Sequence, residues 1–99
     1  MYLVHVHLRS PGGGRALPPE AEELVTASAA DADGFELVVV HRREQPDPVA
    51  GVYMRAASLE EAEEGAAAIW LAAAAAHPQL RPWRLVRAEI PLLPPDVDW

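Results

Sequence analysis

Ninety-nine residues, 51% hydrophobic and 23% charged, suit one folded domain with a single core rather than a disordered chain. The formal net charge is −7 and all eight basic residues are arginine; such a chain lacks the basic footprint that nucleic acid or an anionic membrane surface requires. The absence of cysteine excludes disulfides, thiolate metal sites and a cysteine nucleophile.

The longest apolar run, Ala66 to Ala76, is mostly alanine and too short to span a bilayer. No basic region precedes an apolar run at the N-terminus, so no secretory signal is expected and a cytoplasmic location is the default. The alanine excess and the use of arginine without lysine resemble the coding bias of a high-GC bacterial genome, so the missing lysine is not read as a physical signal.

The first strand is predicted over Tyr2 to Arg9. Side chains alternate along a strand, so Tyr2, Val4, Val6 and Leu8 form an apolar face, and Leu3, His5, His7 and Arg9 form the other. Ser10 to Pro19 is a loop. Its three glycines resemble a phosphate-cradling turn only superficially. No Gly-Lys-Ser/Thr follows, the G-x-G-x-x-G spacing fails at Leu17, and Pro18 and Pro19 separate the glycines from the next helix.

A helix is expected from Pro19 to Ala30. Proline suits its first position, Glu20, Glu22 and Glu23 suit its positive end, and Ala21, Leu24, Val25 and Ser28 make a narrow apolar stripe. Asp31 to Gly34 turns the chain. The second strand, Phe35 to Arg42 or Arg43, contains Leu37-Val38-Val39-Val40. This continuous run leaves open which residues face which way. Glu44 to Pro48 is a rigid turn, and the third strand follows from Val49 to Ala56, with Gly51 suggesting a bulge or a close approach.

The second helix has the clearest start: Ser58-Leu59-Glu60-Glu61 is a capping box. Ala62, Ala66, Ile69, Trp70 and Ala73 make its buried stripe, and His77-Pro78 ends it. A fourth strand is expected from Pro82 or Trp83 to Ile90, with Arg84, Val86, Ala88 and Ile90 facing one way and Trp83, Leu85, Arg87 and Glu89 the other. Residues 91–99 form a proline-rich acidic tail ending in Trp99.

The order strand-helix-strand-strand-helix-strand predicts an α+β, ferredoxin-like βαββαβ domain over residues 1–90, with an antiparallel sheet of order 4-1-3-2 and both helices on one face. Tyr2, Val4, Val6, Val52, Met54, Val86 and Ile90 are expected beneath the helices. Leu3, His5, His7, Val49, Tyr53, Arg55, Trp83, Leu85, Arg87 and Glu89 are expected on the open face. A bare, partly apolar sheet face is a liability in a monomer, and self-association sheet against sheet is the simplest remedy.

With this element order, the strand Tyr2-Leu3-Val4-His5, the helix entry Ala57-Ser58-Leu59-Glu60-Glu61-Ala62 and the closing Val86-Arg87-Ala88-Glu89-Ile90-Pro91-Leu92, the chain resembles the dimeric α/β-barrel group. That group includes muconolactone isomerase-like, YCII-like and small polyketide-cyclase or monooxygenase proteins. The resemblance implies a homodimer that handles a small organic molecule; it assigns no catalytic residue.

The residues themselves supply candidates. Histidine as a residue type titrates near neutrality, so His5 or His7 could act as general base in an isomerisation or cyclisation. Two histidines at i, i+2 could also share a metal with His41 or Glu89, but no spacing shows that they converge, and neither metal nor cofactor is assigned. Tyr53 and Arg55 could orient an anionic or phenolic substrate, Trp83 could stack on it, and Arg87 and Glu89 complete the candidate set. An ion pair of Glu89 with Arg55 or Arg87 is the structural alternative. A non-catalytic module that docks through the open face and the tail is the alternative to an enzyme.

Overall fold

The computed structural model describes residues 1–12, 16–41 and 47–91. Four strands and two helices follow in the expected order: β1 Tyr2–Arg9, α1 Ala21–Ala29, β2 Phe35–His41, β3 Val49–Met54, α2 Leu59–Ala76 and β4 Arg84–Glu89. A short 3-10 turn, Pro78–Leu80, links α2 to β4. All neighbouring strands are antiparallel, in the order β2-β3-β1-β4. The chain thus has the expected α+β, ferredoxin-like plan. The arginines at 42 and 43, the turn residues 44–46, Gly13, Gly14 and residues 92–99 with Trp99 lie outside the described residues.

Alternation in β1 builds the core. Val4, Val6 and Leu8 are almost wholly buried beneath the helices, with Ala50, Val52 and Met54 beside them in β3. Trp70 and Ile69 of α2 press onto this layer, while Ala62, Ala66 and Ala73 let the helix backbone lie close to the sheet. Burying each large apolar side chain contributes on the order of 2 kcal/mol.

The ends of α2 are fixed by polar contacts. Ser58 Oγ accepts the Glu61 N–H at 3.2 Å, and Glu61 Oε2 accepts the N–H of Ala57 at 3.1 Å, one residue before the position a capping box uses. At the other end Arg81 donates from Nε to the Ala74 carbonyl and from its guanidinium to the Ala75 carbonyl, satisfying two groups the helix leaves open. His77 Nε2 meets Ser28 Oγ at 3.1 Å and ties the two helices together.

Both outer strands are held by helix carboxylates. Glu22 Oε2 accepts the Val40 N–H at 2.8 Å on the β2 edge, and Glu63 Oε2 accepts the Ile90 N–H at 3.1 Å just past β4. Acidic residues that serve the positive helix ends therefore also satisfy edge amides that another chain could otherwise pair with.

Several expectations need correction. The first helix begins at Ala21, because Pro18 to Glu20 form a turn in which the Pro18 carbonyl accepts the Ala21 N–H. Leu17, read as loop, is a fully buried core residue, as is Leu80. The largest revision concerns β4. The β1–β4 register shifts between His7 and Leu8, which inserts an extra residue into β4. Val86, expected under the helices, is 44% exposed, whereas Leu85 pairs with Leu8 and packs against the core. Trp83 precedes the strand and is only 4% exposed inside the core. Neither Trp83 nor Leu85 belongs to the open face.

The turn before β2 depends on Gly34. Its φ is +82°, and a Cβ there would lie 2.2 Å from the Arg55 carbonyl oxygen. Its own carbonyl accepts the Arg55 N–H at 2.7 Å. Gly34→Ala is therefore expected to cost about 2 kcal/mol or more in urea unfolding. A variant as stable as the parent would contradict the close backbone approach.

Candidate functional site

The sheet register lays out the open face row by row. Across β2, β3, β1 and β4 the first row is Leu37, Tyr53 and Leu3. The second is Val39, Gly51, His5 and Glu89; the third is His41, Val49, His7 and Arg87. Beyond the shifted register come Arg9 and Arg84. The β2 side is apolar, with Leu37 52% exposed; the β4 side is charged. His5 and His7 occupy the middle, and His41 stands on the β2 edge.

This resolves the orientation of β2. Val38 pairs with Val52 and is buried, so Leu37, Val39 and His41 project to the opposite face. His41 thereby joins His5 and His7. The His5 ring centroid is 6.2 Å from that of His7 and 5.8 Å from that of His41. The three imidazoles do not converge on a point: among the described residues no group of three or more His, Asp or Glu side chains is placed to hold a metal ion.

Gly51 makes room between them. A Cβ at Gly51 would sit 3.2 Å from His41 Nε2 and 3.3 Å from Leu3 Cδ1. With hydrogen there instead, the His41 ring and Leu3 can lie close over the strand. His5, His7, His41 and Val49 line a cleft of about 320 Å³, a volume that suits a small organic molecule.

Glu89 organises the charged side of this cleft. Arg87 Nε donates to Glu89 Oε1 at 2.9 Å, and His7 Nε2 lies 3.2 Å from the same oxygen. The hydrogen bond from Arg87, with the positive charge of Arg87 and of the histidines behind it, holds the Glu89 carboxyl below its ordinary range. An ionised carboxylate offers only acceptors, so His7 meets Glu89 with a proton on Nε2, and in the neutral tautomer that does so the lone pair is on Nδ1.

The other candidates fall elsewhere. Tyr53 lies on the open face, two rows from His7. Arg55 is paired with Glu36, not with Glu89, and lines a separate depression of about 450 Å³ with Asp33, Gly34, Met54, Ala56, Glu61 and Gly65. That hollow is larger, but Arg55 and Glu61 are already engaged in an ion pair and a helix cap. Trp83 is a core residue. Of the sequence candidates, the fold thus brings together His5, His7, Arg87 and Glu89, and separates Arg55 and Trp83 from them. His41, considered in the sequence only as a further metal partner, joins them through the period-two spacing from Leu37 through Val39.

Comparison with family models, curated proteins and solved structures gives no match to this chain. No helix among the described residues is long and apolar enough to cross a membrane.

The sign of the pH dependence follows from Glu89. Its carboxyl is held low in the folded chain, so whatever stability its pairing provides is complete above the ordinary glutamate range and is lost as pH falls through the lowered value. Arg87→Gln should raise the Glu89 titration midpoint toward the ordinary value in carbon-detected NMR. An unchanged midpoint would contradict the assignment of Arg87 as the principal cause.

Proposed function

We propose that this protein is a small homodimer of the dimeric α/β-barrel kind that binds a small organic molecule and transfers a proton on it, as an isomerase or cyclase does. The observation that carries this reading is the open-face cleft: a few hundred cubic ångströms lined by three imidazoles, one of which abuts a carboxylate. A purely structural histidine cluster would fill its own space; this one borders a space fit for a ligand.

In this reading His7 is the general base. Glu89 fixes its tautomer and would stabilise the imidazolium formed when Nδ1 accepts a proton from a substrate carbon. Arg87 keeps Glu89 ionised and pointed at His7. Return of the proton to a different substrate atom completes an isomerisation. His5 and His41 flank the space and offer donors to an oxygen that gains negative charge. Positioned acid–base groups of this type contribute about 10²–10⁴-fold in rate.

The second copy covers the face. Leu37, Val39 and Leu3 form the apolar half that water would otherwise meet. Sheet-to-sheet packing that leaves the space between the histidines empty would enclose the cleft and exclude solvent from the transfer. Trp83 and Leu85, expected on the open face, do not take part in this contact, because Trp83 lies in the core and Leu85 packs against it; Leu37 and Val39 take their place.

Light scattering at micromolar concentration should report a dimer for the parent chain and a monomer with unchanged far-ultraviolet circular dichroism for Leu37→Glu. A monomeric parent, or a Leu37→Glu variant that remains dimeric, would contradict this arrangement. Gly51→Val, whose side chain would push the His41 ring and Leu3 from their places, should abolish small-molecule binding at the histidines while the chain stays folded.

A further inference from the structure

We infer that the ligand of the histidine cleft is an organic carboxylate, held by Arg9 and Arg84 at the charged edge of the open face. The inference rests on the reading of that cleft as a ligand site and names its chemical class. Charge is segregated between the two faces of the molecule. The chain is acidic overall, yet Glu22, Glu23, Glu60, Glu61, Glu63 and Glu64 all belong to the helices. Among the described residues, Glu89 is the one carboxylate in the open-face rows, and it is already shared by Arg87 and His7.

Arg9 and Arg84 stand directly opposite each other in the β1–β4 ladder. Like charges in that arrangement destabilise a sheet. Both are exposed, and no carboxylate among the described residues forms an ion pair with either. Asp47, at the same end of β1, has one carboxylate oxygen engaged by the Ser10 N–H at 2.9 Å. Two guanidinium groups side by side, neither in an ion pair among the described residues, form a receptor for an external anion.

Their position relates them to the cleft. Arg9 and Arg84 lie one row beyond His7 and Arg87, roughly 7 Å along the strands. An arginine side chain is long enough to reach across one row. A substrate whose carboxylate is gripped there would extend its body over Val49 toward Nδ1 of His7 and the rings of His5 and His41. A planar carboxylate matches the guanidinium fork. Phosphate sites commonly use amides at a helix N-terminus, and here both helices lie on the other face of the sheet.

The test is an NMR titration of the full chain, following the imidazole resonances of His5, His7 and His41, with benzoate and with its uncharged counterpart benzamide. Benzoate should shift the three histidines with a dissociation constant in about the millimolar range or below, and benzamide should bind about 10-fold more weakly or worse. The double variant Arg9→Gln/Arg84→Gln, checked for folding by circular dichroism, should lose about 10-fold in benzoate affinity and leave benzamide unchanged. Equal affinity for the two ligands, or benzoate binding unaltered in the double variant, would overturn the inference while leaving the cleft as a neutral-ligand site. Histidines that respond to neither ligand would overturn both.

Discussion

Two helices can cover only one face of a four-stranded sheet, and the whole arrangement follows from that geometric limit. On the covered face the sequence is uniformly apolar and the packing is dense: Val4, Val6, Leu8, Val52 and Met54 lie under Ile69, Trp70 and the small alanines of α2. On the other face the same strands carry leucine, valine, tyrosine, histidine, arginine and glutamate in ordered rows. A glycine at the centre of that mixed face weakens the strand and buries little by itself. Its effect is to leave room that Leu3 and the His41 ring occupy. The cleft lies beside them, bordered by His5, His7, His41 and Val49.

Glutamates act in three ways in this small domain, and the difference lies in what each carboxylate meets. Glu61 meets the free amide of Ala57 and helps start a helix. Glu22 and Glu63 meet edge amides and bind the helices to the sheet margins. Glu89 meets a guanidinium and an imidazole on the open face, where its charge sets the preferred tautomer of His7. The first two uses stabilise the fold. The third contributes little there, because its groups are largely exposed and screened by solvent. Its consequence is chemical: it leaves a ring nitrogen with a lone pair at the margin of an accommodating space.

Much of this was legible in the sequence, for identifiable reasons. The element order followed from the alternation in Tyr2 to Arg9, the Ser58 to Glu61 cap and the helical spacing of Ala62, Ala66, Ile69, Trp70 and Ala73, all of which recur in the structure. The placement of His5 and His7 on the open face followed from the same alternation. The orientation of β2 did not, because Leu37-Val38-Val39-Val40 is equally apolar in either phase; tertiary pairing with β3 decides it and brings in His41. The shift at Val86 was equally hidden, since an inserted residue inverts the alternation without any glycine or proline to mark it. That single shift withdrew Leu85 from the open face. Trp83 stands before the strand begins, where strand alternation did not apply.

The proposed function depends on what lies over the open face, and the direct measurement is an isotope-filtered nuclear Overhauser experiment on a mixture of labelled and unlabelled full-length chains. Intermolecular contacts are expected to the methyl groups of Leu3, Leu37 and Val39 from the same face of the second copy, with none reaching into the space bordered by His5, His7, His41 and Val49. Intermolecular contacts confined to the helical face, or a complete absence of contacts to these methyls, would contradict the proposed arrangement.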